Sequence, residues 1–133
     1  MKTAIKSILT GLILIFAAGC SSNGIEGTWQ YDGGVYNGKA RKAHTDFQMQ
    51  RTYKSDTYEA FLLEGTAAPE LYNSGTYEIR GDSILITSKF STQPSQNDDV
   101  TIAYKLKTET GKMITSGVLP NGMVVEEYWK KVE

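Results

Sequence analysis

From Glu26 onward, the chain is written in short segments whose apolar and polar residues alternate, each bounded by turn-forming residues. A period of two puts one set of side chains on each face of a strand, the pattern of a half-buried antiparallel sheet. Val100–Lys107 carries it most cleanly, with Val100, Ile102, Tyr104 and Leu106 on one face and Thr101, Ala103, Lys105 and Lys107 on the other. Thr45–Tyr53 sets Phe47, Met49, Arg51 and Tyr53 against Asp46, Gln48, Gln50 and Thr52. The same reading predicts strands at Glu26–Tyr31, Thr57–Leu63, Gly75–Arg80, Ser83–Phe90, Lys112–Leu119 and Met123–Val132, making eight. Gly81-Asp82 and Pro120-Asn121-Gly122 mark hairpins between neighbours. Beyond Cys20 no apolar stripe is sustained at helical spacing, so the fold class is all-β. Short strands in hairpin succession build a barrel or a sandwich. The expectation is an eight-stranded antiparallel up-and-down β-barrel, with the first strand set beside the last. Its interior would be filled by side chains or by one small ligand.

Two connections are longer than hairpin turns. Gly33 to His44 opens with Gly33-Gly34 and carries Lys39, Arg41, Lys42 and His44; Ser91 to Asp99 is rich in Ser, Gln, Pro and Asn. The single cysteine, Cys20, rules out an intramolecular disulfide, so the fold must be held by its own core.

The N-terminus is built differently. Lys2 and Lys6 precede an apolar run from Ile8, which ends at Phe16-Ala17-Ala18-Gly19-Cys20. A charged region, a short apolar region and small residues at a cut site make a secretory signal. The alternative is a membrane span with an incidental cysteine, but spanning needs about 20 apolar residues and this run is shorter. The cysteine after Ala-Ala-Gly resembles the bacterial lipobox, with Ala17 where Leu is commonest. That resemblance implies a signal peptide over 1–19, lipidation of Cys20, a polar tether over 20–24 and a folded domain over 25–133. Ser21 in place of Asp is similar to the pattern sent to the outer membrane, so the expected location is the cell envelope, lipid-anchored, at that membrane. After residue 19, 114 residues remain, enough for one core burying roughly 65% of the unfolded surface. They carry 12 Lys and Arg against 15 Asp and Glu, and this mild acidity argues against a nucleic-acid partner.

Gly27-Thr28-Trp29, at the head of the strand series, resembles the opening of lipocalin-like (calycin) barrels, and Glu126 to Val132 is similar to their closing strand. The resemblance implies a lipocalin-like barrel. Larger members pair the first-strand Trp with an Arg of the last strand; here Lys130 or Lys131 stands in that region. Trp29 and Trp129 are expected to plug one end of the barrel as core.

Catalytic chemistry finds little to work with. His44 is the only histidine and sits in a polar, basic connection, which does not make a Ser-His-Asp triad. Cys20 would be consumed by lipid, and the chain lacks the His and Cys ligands of a zinc site. Asn97-Asp98-Asp99 supplies too few oxygens for calcium, and Gly33-Gly34 lacks the spacing of a phosphate loop. The expectation is a protein that is not an enzyme and uses no cofactor or metal.

Arg51 is the residue that asks for a partner. It shares its face with Phe47, Met49 and Tyr53, and a buried charge without a partner is expensive. Fatty-acid-binding relatives of the calycin group set interior basic residues against a ligand carboxylate. By that resemblance Arg51, Tyr53 and Tyr58 would hold one, with Phe47 and Met49 lining the apolar part. Alternatively Arg51 reaches solvent, or pairs with Glu59 or Glu64. The basic residues 39–44 either meet anionic headgroups, at about 1 kcal/mol each, or form a solvated loop. Two functions follow. One is a lipid-anchored binding module for a small apolar or amphipathic ligand, such as an acidic amphiphile. The other is a structural lipoprotein with a side-chain-filled barrel whose loops meet an envelope protein. A cavity lined by Phe47, Met49 and Ile102 would mark the first; a packed interior with an exposed apolar patch would mark the second.

Overall fold

The computed structural model describes residues 24–93 and 97–132, so Cys20, the signal segment and all of the tether but Gly24 lie outside it. Nine strands follow one another: β1 (Gly27–Tyr36), β2 (Lys39–Arg41), β3 (Gln48–Tyr53), β4 (Thr57–Leu63), β5 (Glu70–Arg80), β6 (Ser83–Ser91), β7 (Thr101–Glu109), β8 (Lys112–Val118) and β9 (Val124–Lys131). Every pairing between them is antiparallel, and β1 also pairs with β9, which closes an eight-stranded barrel with β2 as an addition. Closure sets Tyr31 opposite Trp129 and Trp29 opposite Lys131. The two tryptophans therefore lie on neighbouring strands, as a barrel requires and a sandwich does not.

β1 is the strand that departs most from expectation. It does not stop at Tyr31 but runs through Gly33-Gly34 to Tyr36. The glycines make a bulge rather than a turn: the register against β9 shifts between Tyr31 and Gly34, and Gly33 has φ +102°. A Cβ on Gly34 would lie 2.7 Å from the Glu126 carbonyl, so the strands approach there only because the side chain is absent. Past the bulge, β1 turns through Asn37-Gly38, both at positive φ, into β2. One edge of β1 thus pairs with β3 over Gly27–Gln30 and with β2 over Gly34–Tyr36.

β5 likewise begins at Glu70, earlier than its alternation suggests. Its register shifts against β4 between Ala60 and Phe61 and against β6 between Ser74 and Gly75, so the period of two is broken there. A Cβ on Gly75 would sit 2.0 Å from the Thr87 carbonyl oxygen. β3 starts at Gln48, not Thr45, which leaves Phe47 outside the sheet.

The two ends of the barrel differ. At one, the connections at 54–56, 81–82 and 110–111 are short, and Ile25, Trp29, Tyr53, Tyr77, Ile84, Met113 and Trp129 pack together. Tyr53 meets Tyr77 edge-on at 5.0 Å, and Trp29 donates its indole Nε1–H to the Ile25 carbonyl at 2.8 Å. Tyr77 donates to the Lys54 carbonyl. The polar tips of Trp29 and Tyr77 thus have acceptors, so these two rings contribute area without stranding a donor. At the other end, the connections at 64–69, 92–100 and 119–123 and the β2 excursion are long, and the interior between them holds open space, polar around Arg51 and mostly apolar beside Met49 and Met123.

Candidate functional site

Arg51 enters the interior from β3, opposite Ala60 of β4 and Trp29 of β1. Its guanidinium carbon lies 5.1 Å from the ring centres of both Tyr58 and Trp129, and Nη1 donates to the Tyr53 hydroxyl at 3.3 Å. Nε is shut off from solvent without a hydrogen-bond partner. The side chain as a whole is half-buried, because part of it borders a cavity of about 190 Å³. Burial works against its charge, but the Tyr53 and Tyr72 phenols and Glu127 outweigh it and hold its pKa above the ordinary arginine value. At neutral pH the phenols are uncharged. Glu127 is therefore the formal negative charge in that set.

Glu127 stands on β9, two residues before Trp129 on the same inward face, opposite Thr115. Its Oε2 accepts from the Tyr36 hydroxyl at 3.0 Å, and Tyr36 in turn accepts from Tyr31 at 2.6 Å. A Cβ on Gly34 would come within 3.1 Å of both phenol oxygens, so the bulge glycine makes room for that pair. Burial, the Tyr31 bond and Glu127 all push the Tyr36 pKa far up. Tyr104 on β7 is pushed up to about 12, chiefly by burial, with Arg51 opposing.

On the far wall, Tyr58 donates to Asn73 Oδ1 at 2.8 Å, and Asn73 Nδ2 donates to Ser88 Oγ at 2.7 Å and to the Phe90 carbonyl at 2.8 Å. Ser88 continues to Asp98 at 3.4 Å. Above this layer lies the larger cavity, about 570 Å³ and mostly apolar, lined by Tyr31, Tyr36, Met49, Met123 and Glu127 with Arg41, Lys42 and His44 at its rim. Glu127 borders both cavities.

The residues singled out from sequence sort clearly. Arg51, Tyr53 and Tyr58 come together, and Met49 lines the larger cavity. Phe47 does not join them; it stacks on His44 at 4.2 Å in the connection before β3. Ile102 borders the smaller cavity with Arg51. Neither carboxylate proposed for Arg51 meets it: Glu59 faces outward and pairs with Lys54 at 3.0 Å, and Glu64 is exposed in the connection after β4. Among the described residues no carboxylate lies within 4.0 Å of the guanidinium. Lys131 places its Nζ 5.6 Å from the Trp29 ring centre, so an ammonium meets the first-strand tryptophan. The guanidinium stack of this chain is instead Arg51 on Trp129.

Glu127, Trp129 and Asn73 were not expected at the site. Glu127 had a signal: counting back by two from an inward Trp129 reaches it. Asn73 had none, since the β5 bulge at Tyr72 hides its parity.

A scan against protein-family models finds none that matches this chain, and a search of curated proteins returns no match.

Proposed function

We propose that this protein is a lipid-anchored envelope module whose barrel takes a small amphipathic ligand through its open end. The observation that carries the reading is the large, mostly apolar cavity at the open end, with Arg41 and Lys42 at its rim and Glu127 below. Arg51, lower in the interior, has two ring stacks worth about 1 kcal/mol each and a charge-assisted bond to Tyr53 worth roughly 1.5–3 kcal/mol, against roughly 1–3 kcal/mol for its orphaned Nε. A cavity of about 570 Å³ above it falls in the range of small-molecule sites. The lipobox resemblance at Cys20 supports the anchor. Gly24 leads into the packed end, and four residue steps reach at most about 14 Å. An anchor at Cys20 would therefore hold the packed end near the bilayer and the open end away from it.

All nine strands and the buried core lie within residues 25–132, so chain 21–133 keeps the whole barrel. Displacement of a fluorescent undecanoate probe from that chain by carboxylate, alcohol and ammonium amphiphiles is the test of binding. Displacement by any of them at micromolar concentration supports the module; none by any of them removes it. For the anchor, Cys20→Ala should leave unprocessed or mislocalised protein, and a processed, membrane-bound mutant would refute lipidation there.

A second reading has its own observation. Phe90, Val100, Val118 and Val124 are exposed around the open end. They favour a protein partner seated on the rim. Native mass spectrometry of protein from its own envelope separates the two, since a retained small molecule and a retained polypeptide differ in mass.

A further inference from the structure

We infer that the ligand of this barrel carries an anionic head and binds head-out, its charge over Arg41 and Lys42 and its apolar body against Met49 and Met123; this rests on the binding function proposed above. Arg41 ends β2 and Lys42 follows it, and both line the larger cavity from an exposed position. Neither forms an ion pair among the described residues. The rim therefore offers two uncompensated positive charges. Below them the wall is thioether and phenol, a surface that accepts an alkyl chain readily.

Head-in binding meets the opposite conditions. The floor of the larger cavity is Glu127, its Oε2 held by Tyr36. The smaller cavity beyond it has about 190 Å³ and is bordered by Glu127 and Asp98 as well as Arg51. Rings lie over the Arg51 guanidinium and Tyr53 takes one of its N–H groups. A carboxylate there would trade one attraction for two repulsions, whereas at the rim two cations stand beside it and the one acidic residue lining the cavity, Glu127, lies at the floor. Asp46 lies on the same connection but does not line the cavity.

The experiment compares dodecanoate, dodecanol and dodecylammonium as competitors for the fluorescent probe on chain 21–133. Dodecanoate should bind tightest and dodecylammonium weakest. The double variant Arg41→Gln, Lys42→Gln should weaken dodecanoate about five-fold and abolish its advantage over dodecanol. Arg51→Met should leave that advantage standing, and so should Lys112→Gln at the packed end. Raising salt from about 0.01 to about 1 M should erase the advantage in the unaltered chain, a check that needs no variant to fold. Dodecanol binding as well as dodecanoate would overturn the anionic head while leaving the binding function intact. Arg51→Met removing the preference while the double variant keeps it would place the head inside. Lys112→Gln acting like the double variant would reduce the effect to overall charge. Failure of all three competitors would remove the binding function, and this inference with it.

Discussion

The two ends of one barrel have been put to different uses. At the packed end, three short connections let rings from β1, β3, β5 and β9 meet, and Ile25 is buried among them. At the open end the same strands run into long connections, and their inward positions turn from Trp and Ile to Arg, Glu, Asn, Ser and Thr. Apolar side chains fill space by contact alone, so the packed end keeps its core residues buried, with a cavity of about 340 Å³ beside Met113 and Trp129. Polar side chains reach sideways for partners, Glu127 and Asn73 through hydrogen bonds and Arg51 against the Trp129 ring, which leaves room between them. The lesson is that a small barrel can keep a cavity where its interior is hydrogen-bonded rather than packed.

That comparison breaks most readily at Trp29. Trp29→Ala removes a buried indole and its bond to Ile25, and should cost about 3–5 kcal/mol in urea unfolding. A loss under about 1 kcal/mol would mean that the packed end does not carry the fold. At the open end the alkaline limb of stability is the next lever. Tyr104 titrates near 10 when unfolded and at about 12 when folded, so the neutral phenol is favoured by folding. Its contribution is full below pH 10 and is lost as pH rises toward 12. Tyr104→Phe should flatten that decline in a pH series of unfolding midpoints; an unchanged slope would assign the decline to other groups.

Glu127→Gln keeps an acceptor for Tyr36 but removes the charge that faces Arg51. It should destabilise by about 1–2 kcal/mol. A neutral result would mean that rings and Tyr53 alone hold the guanidinium. Smallest of all should be Glu59→Gln, which breaks only an exposed pair with Lys54 and should stay within about 0.5 kcal/mol. A larger loss would restore Glu59 to the interior account.

Much of the fold was legible because alternation is set by geometry. The strand succession, closure of first on last and the inward face of β3 all follow from a period of two. Bulges are what hid the rest. Gly33-Gly34 reads as a turn and is a bulge, so β1 looked short. Asn37-Gly38 is a hairpin marker, but the segment around it does not alternate, and β2 was taken as loop. Parity alone excludes Glu59 as a partner for Arg51, since Ala60 is the residue opposite and Glu59 faces out. Phe47 has the right parity, yet the strand begins one residue after it. The smaller cavity is bordered by side chains from seven strands, a meeting that no single segment encodes.

Three methionines lie within chain 21–133: Met49 and Met123 line the open cavity, and Met113 is buried at the packed end. Methyl-labelled methionine in this chain therefore gives one resonance from the packed end and two from the open one. Titration with dodecanoate, followed by carbon–proton correlation spectra, tests the one-ended binding account most directly. The account predicts that the Met49 and Met123 methyls shift and saturate together while Met113 holds its position. Equal movement of all three, or no movement at saturating amphiphile, would contradict it.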